Sequence, residues 1–374
     1  MKFFVATFGL EVILVFIVAS LLGWGFRVKK PLLKHLGFNM SAVFIALLLY
    51  EFIATIINKP QSEVIYSEPY YEHDLDLGYS VRNSPFSIKA TKSWVTSGKE
   101  IYSVDYSFAK GRRVTPHSDS NSRHYGIFLG GSFTFGEGVN DDETLPYYYN
   151  ENATEKLNIR NYGFHGYGTH QVYTIVKNQI ANDTVLKKAE NVNVFYWFID
   201  PHIFRANGYS KWDQKSPKYI VENGILKNSG TFKEATESRV FVEKFFDFTW
   251  SNSAIYQRIQ PRLATGKEEV NLFLTLIKET DRILKKQGFK FTVLIHHMPQ
   301  SDLLFGSHYR DVKEKIKLQL DEDIEVVFIN ELESNDENGT DMLFIPGDGH
   351  PTGEFNKRLA TFLWKRSNSQ SKIP

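Results

Sequence analysis

The chain has 374 residues, enough for one large domain with additions or for two domains. Lys plus Arg (44) and Asp plus Glu (43) leave a formal net charge of +1, which gives no reason to expect a nucleic-acid partner. With no cysteine, disulfides, thiolate catalysis and cysteine zinc sites are excluded, while an aromatic content of 15% suits a core, a sugar-stacking surface or a membrane-interface belt.

Residues 3–26, FFVATFGLEVILVFIVASLLGWGF, are long enough to cross a bilayer, and 40–57, MSAVFIALLLYEFIATII, are near the lower limit. The loop between them carries Arg27, Lys29, Lys30 and Lys34, against only Lys2 at the N-terminus. The positive-inside rule then puts that loop in the cytoplasm and both chain ends outside. Residues 1–58 are therefore expected to form two transmembrane helices of an inner (cytoplasmic) membrane protein, with the rest on the extracytoplasmic, periplasmic side. A cleaved signal peptide is the rival reading, for which the first apolar run is too long. Glu11 and Glu51 fall within the spans, and each needs a polar contact or a route to the interface.

Residues 59–122 read as a linker that becomes a strand-rich extension; EIYSVDYSFAKGRRV alternates with period 2 and turns at Lys-Gly. From 123 to 374 strands alternate with helices. Strands are expected at 125–129, 157–163, 192–199, 289–297 and 324–330, and helices at 170–181, 268–288, 310–320 and 352–366. That alternation implies βαβ units and a parallel sheet covered on both faces. Residues 205–262 interrupt it as an aromatic-rich, irregular insertion over the carboxyl edge of the sheet.

Ligands of such sheets bind at the carboxyl ends of the strands, where three stretches carry chemistry. FLGGSFTFGEG (128–138) ends a strand in Gly130-Gly131-Ser132, a tight turn that can expose a serine hydroxyl. No Gly-Lys-Ser/Thr follows, so it is not a phosphate-binding loop. NYGFHGYGTHQ (161–171) carries Gly163, Gly166 and Gly168 before a helix, and the Gly166 N–H is placed to donate to an oxyanion. PGDGHPTGEFNKRLA (346–360) presents Asp348 and His350, an orienter and a base for a serine. Each stretch alone is also compatible with plain turn geometry.

Together the three resemble the SGNH (GDSL-like) hydrolase family over about residues 123–366. The first block has Gly131 where Asp often stands, and the last has Asp-x-His in place of Asp-x-x-His, with Gly347 three before His350 and Gly353 opening the helix. The resemblance implies Ser132 as nucleophile, His350 as general base and Asp348 as orienter, on a three-layer flavodoxin-like α/β sandwich with a five-stranded parallel sheet. In the third block, FYWFIDPHIFRANG (195–208), no Asn stands where the family has its oxyanion amide. The expected oxyanion donors are therefore Ser132, Gly166 and His202, with Arg205 and Asn207 reaching in from the insertion to bind substrate or, in place of His202, to supply the third donor. His296 and His297, adjacent on a strand, point to opposite faces, and no catalytic metal or other cofactor is expected.

These expectations amount to a membrane-anchored serine esterase acting on O-acyl, chiefly acetyl, groups of envelope or exported polysaccharide, with a membrane partner in export possible. The alternatives are an O-acyltransferase using the same site and a non-catalytic glycan-binding or assembly protein with a relict site.

Overall fold

The computed structural model describes residues 9–57, 61–210, 212–237, 267–296, 324–330 and 343–369, with positions 253, 316, 320 and 332. Two apolar helices come first, α1 (Gly9–Arg27) and α2 (Pro31–Ile57). Pro31 opens α2, where its missing N–H costs nothing. Within α2 the stretch Pro31–Ala54 is long and apolar enough to cross a membrane, while the apolar part of α1, Ile13–Arg27, is shorter. Two spans were expected and one meets the length among the described residues; residues 3–8 of the other lie outside them. Phe26 packs edge-on to Phe38 at 5.1 Å between the two helices. Glu51 is 1% exposed and accepts a hydrogen bond from Ser253 Oγ at 3.1 Å, so this carboxylate in an apolar helix has a polar contact. Residues 1–60 with 234–263 form one compact unit, and 61–233 with 264–374 form the other.

The second unit is built on a nine-stranded sheet. It begins with β1 (Ser62–Tyr66), a separate small hairpin of β2 (Tyr71–Asp74) and β3 (Gly78–Val81), then β4 (Phe86–Trp94), β5 (Glu100–Ala109) and β6 (Arg112–Arg113). β1, β4, β5 and β6 lie side by side and antiparallel. Along β5, Tyr102, Val104, Tyr106 and Phe108 are buried and the residues between them face outward, as the alternation predicts.

The parallel part uses β7 (His124–Gly130), β8 (Asn158–Asn161), β9 (Asn191–Ile199), β12 (Lys290–His296) and β13 (Glu325–Phe328) in the order β8-β7-β9-β12-β13, which is flavodoxin-like. Arg113 of β6 pairs antiparallel with Asn161 of β8. The sheet is thus not a stand-alone five-stranded one beside a small strand-rich region. The extension is its continuation, because β8 would otherwise leave an open edge of unpaired backbone groups.

Helices flanking this sheet are α3 (Ser132–Phe135), α4 (Leu145–Glu151), α5 (Thr169–Ile175, continued by one π turn at Val176–Ile180), α6 (Pro201–Ala206), α7 (Lys267–Lys286) and, after the last strand, α8 (Gly353–Ser369). β9 shows why three layers form. Phe195, Trp197 and Ile199 pack with Leu145 and Tyr149 of α4 and Phe355 and Leu359 of α8. Val194, Tyr196 and Phe198 pack on the other face with Val172 of α5 and Phe273 and Ile277 of α7. Of the expected irregular insertion, residues 217–231 form a hairpin of β10 (Pro217–Glu222) and β11 (Ile225–Thr231). The expected helix at 310–320 lies outside the described residues apart from Ile316 and Leu320.

Candidate active site

Ser132 is the first residue of α3, directly after β7 runs out at Gly130-Gly131. The helix is one turn long because Gly136 adopts a left-handed conformation and its N–H donates to Ser132 O. The next residue, Glu137, is turned back toward the serine, its N–H also donating to Ser132 O at 3.0 Å. No space is free beside Gly131. A Cβ there would sit 2.8 Å from His202 Nε2 and 3.0 Å from Arg205 Nη1, so the Asp that often occupies this place would not fit.

The base arrives from the loop before α8. Asp348 N–H and Gly349 N–H both donate to Ile345 O, at 3.1 and 2.9 Å, and the left-handed Gly349 folds Asp348 back under His350. This tight turn is what lets an Asp-x-His spacing work. His350 Nδ1 lies 2.6 Å from Asp348 Oδ2 and His350 Nε2 lies 2.8 Å from Ser132 Oγ. With Nδ1–H donating to the carboxylate, Nε2 is free to accept from the serine hydroxyl. Phe133 holds the imidazole edge-on at 5.3 Å.

Two charged residues that the sequence reading passed over complete this network. Lys92 of β4 donates to Asp348 Oδ1, neutralising a carboxylate that is itself inaccessible to solvent. Glu137 Oε2 lies 3.5 Å from His350 Nε2, and it also accepts from His165 Nδ1 at 2.6 Å. The imidazole is therefore flanked by two carboxylates. Burial works to lower the His350 value, but Glu137 first and Asp348 next outweigh it and raise it above the ordinary imidazole range, with Lys92 opposing. Burial pushes Asp348 up, yet the bonds to His350 and Lys92 bring it below the usual carboxylate range. Glu137 behaves likewise: burial raises it, and His350, His165 and Lys92 pull it far below the usual range. Glu137, Asp348 and His350 offer three ligand-type atoms within 4.8 Å of one another. Those atoms already serve Lys92, His165 and the serine, and the lysine brings its own positive charge there, so the cluster is one built around an imidazole rather than around a cation.

A cavity of about 780 Å³ opens beside the serine. Ser132, His350, Glu137, His165, Gly166 and Arg205 are on its wall, and Tyr66, Tyr70, Tyr71, Tyr79, Phe164 and Trp212 supply aromatic surface. Tyr71 and Trp212 are each 58% exposed. Tyr66 is pushed up to about 12, by burial first and then by the Glu137 charge, so it remains a neutral phenol. Gly166 takes a left-handed backbone and a Cβ there would lie 2.5 Å from Trp212 Nε1. Among the described residues no acceptor takes the Ser132 or the Gly166 backbone N–H. Gln171 Nε2 donates to Asp213 Oδ1 at 2.9 Å and His170 Nε2 lies 2.8 Å from Asp213 Oδ2, which pins the segment bearing Trp212 to α5.

The structure thus brings Ser132, His350, Asp348, Gly166 and Arg205 together. His202 stands beside Gly131 rather than on the cavity wall. It is 1% exposed, its Nδ1 lies 2.9 Å from Tyr196 Oη, and burial first, then Arg205 and His170, hold it neutral. Asn207 is not brought to the cavity: its Nδ2 donates to Ile203 O at 2.8 Å, closing the end of α6. His296 is a core residue stacked on Phe355 at 5.6 Å and Trp197 at 6.1 Å, and His297 lies outside the described residues. Glu137 had one signal available to sequence reading, its place five residues after Ser132 in the same glycine-rich turn. Lys92 had none, since it reaches the site only through sheet pairing.

No family model matches the chain. No curated protein matches its sequence. Among solved structures, the chain is similar to a member of the lipolytic G-D-S-L family from Veillonella parvula (12% identity over 65% of this chain and 97% of that one, TM-score 0.35). It is also similar to a lipase/acylhydrolase from Enterococcus faecalis (11% identity, 66% and 96% covered, TM-score 0.36). A third is an acetyl xylan esterase from the rumen bacterium Butyrivibrio proteoclasticus (9% identity, 84% and 96% covered, TM-score 0.33). Likenesses this distant say what the chain is similar to, and its chemistry has to be read from its own residues.

Proposed function

We propose that this chain is a serine ester hydrolase of the SGNH (GDSL-like) kind, anchored in the cytoplasmic membrane by its N-terminal helices, with its active site on the extracytoplasmic side. The single observation that carries the reading is the hydrogen-bonded line Ser132–His350–Asp348, at 2.8 and 2.6 Å, on the wall of a cavity. In the reaction Ser132 Oγ attacks the ester carbonyl as His350 Nε2 takes its proton, and Asp348 stabilises the imidazolium. The carbonyl oxygen, now negative, accepts from the Ser132 and Gly166 N–H groups. His350 then returns the proton to the departing alkoxide, and water repeats the cycle on the acyl-enzyme.

The substrate side is supported by the aromatic wall. Exposed rings such as Tyr71 and Trp212 offer flat faces to a sugar, and the cavity has room for more than an acyl group. This favours O-acyl, chiefly acetyl, esters of envelope or exported polysaccharide. The same room favours, as a second reading, acyl transfer to a sugar hydroxyl in place of water. The test uses the full chain in detergent with a fluorophosphonate probe, a chromogenic acetate ester and acetylated glycans, beside Ser132→Ala. Covalent labelling at Ser132 and ester hydrolysis that disappears in the variant are expected, and an added sugar acceptor that collects the acyl group identifies transfer. An unlabelled Ser132 together with no hydrolysis above background would leave the chain a binding protein and end the reading, and equal hydrolysis by the variant would end the role of Ser132.

A further inference from the structure

The SGNH pattern adds an Asn amide to two backbone N–H donors, and no Asn stands in that place here. Arg205 is the residue the fold puts in that place. It lies on α6, which begins two residues after β9 ends, so it stands at the carboxyl edge of the sheet beside the serine turn. Its Nη1 is 3.0 Å from where a Gly131 Cβ would be, and donates to Tyr167 O at 2.8 Å. Gly131 precedes the nucleophile and Tyr167 follows Gly166. The guanidinium therefore bridges the two turns whose backbone N–H groups are the other donors.

Its charge is the second observation. Among the described residues no carboxylate lies within ion-pair distance of Arg205, although it is on the cavity wall with Ser132. Its Nε is buried with no hydrogen-bond partner. The indole of Trp212 lies over it, 5.9 Å from Cζ to the ring centroid. A half-buried cation with no carboxylate at ion-pair distance is costly, and a site that carries one is suited to receive negative charge. The carboxylates that act on it, Asp213 and Glu137, stand beyond ion-pair distance; the reaction creates a negative charge on the carbonyl oxygen.

We propose that Arg205 is a catalytic residue, the third oxyanion donor, taking over the part of the absent Asn amide. The inference rests on the esterase reading above. As Ser132 Oγ bonds to the carbonyl carbon, the π pair moves to the oxygen and the serine proton to His350. That oxygen accepts from the Ser132 N–H, the Gly166 N–H and the Arg205 guanidinium. When the C–O bond to the alcohol breaks, the pair returns to the carbonyl and His350 gives its proton to the leaving alkoxide. A full positive charge, rather than a neutral amide, then meets the developing negative one. Gly131 follows from this: any side chain there would displace the guanidinium and His202 behind it.

The test compares wild type with Arg205→Ala, Arg205→Gln and Arg205→Lys in the full chain, using an uncharged chromogenic acetate ester and timed fluorophosphonate labelling. Loss of one oxyanion donor costs about 10²–10³ in kcat. That fall is expected in Arg205→Ala, with KM nearly unchanged, a parallel slowing of Ser132 phosphonylation, partial retention in Arg205→Lys and partial restoration by added methylguanidinium. Should Arg205→Ala not fold, as judged by its circular dichroism, the Gln and Lys variants decide by the same kcat and labelling ratios. Turnover within a few-fold of wild type overturns the proposal. So does a loss confined to KM and seen only with carboxylate-bearing substrates, which would make Arg205 a substrate-anion site. A wild type that neither labels nor turns over overturns the esterase reading itself, and this one with it.

Discussion

Replacing Glu137 by Gln removes one of the two negative charges that flank His350 while keeping shape and hydrogen-bonding capacity. Glu137 Oε2 and His350 Nε2 are 3.5 Å apart, with side chains 14% and 17% exposed. Coulomb attraction between unit charges at that distance is about 1 kcal/mol with full water screening and about 5 kcal/mol at an effective dielectric near 20. The shared bond to His165 and the open cavity argue for the lower part of that range, and about 1.4 kcal/mol corresponds to a tenfold change in the protonation equilibrium. The sign follows from His350 acting only when neutral. Its raised value means wild type loses kcat/KM as pH falls through it. Glu137→Gln lowers that value, so the acid limb moves to lower pH. On the acid side of the wild-type limb the variant should be the faster enzyme, by up to about tenfold. At alkaline pH it should be equal or slower, since a less basic imidazole is a weaker general base. The assay is kcat/KM for a chromogenic acetate ester from acid to mildly alkaline pH at constant ionic strength. An acid limb that stays in place or moves upward would refute the electrostatic role given to Glu137.

Lys92→Met should do the opposite. It removes the cation that restrains the His350 value, so the acid limb should move to higher pH, and turnover should fall about tenfold as buried Asp348 loses its counter-charge; the same pH–rate profile checks both. Asp348→Asn should lose most activity with the fold intact by circular dichroism, but less than Ser132→Ala or His350→Ala, because an orienter contributes less than the groups that make and break bonds. A reporter active only outside the cytoplasm, fused after Pro374, should be active if the basic loop at 27–37 is cytoplasmic, and an inactive reporter on a stable fusion would reverse the orientation.

The parts of the fold that sequence reading reached are those where one local pattern suffices. β7, β9 and β12 each carry a near-continuous apolar run because helices cover both their faces, and such runs stand out. Ser132, Asp348 and His350 stand in short stretches whose glycines announce a turn. β4 was missed because FSIKATKSW alternates only partly and is half-buried at its end, where Lys92 leaves the strand to meet Asp348, 256 positions on. The β10–β11 hairpin had a usable signal that was overlooked: Asn223-Gly224, both with positive φ, is the two-residue turn that hairpins favour. His202 looked like the oxyanion donor as the first polar ring after β9. In the structure His202 stays beside Gly131, and α6 carries Arg205, three residues on, to the cavity wall.

Ser132 and His350 are 218 positions apart, so the site has a history as well as a geometry. The strand bearing the nucleophile leaves the ribosome long before the loop bearing its base, and contacts this far apart in sequence close late. A nascent chain with β7, β8 and β9 already paired still holds a serine with no proton acceptor, inert toward every ester it meets. On the esterase proposal, acylation of Ser132 would therefore report the docking of the loop before α8 and not the formation of the sheet.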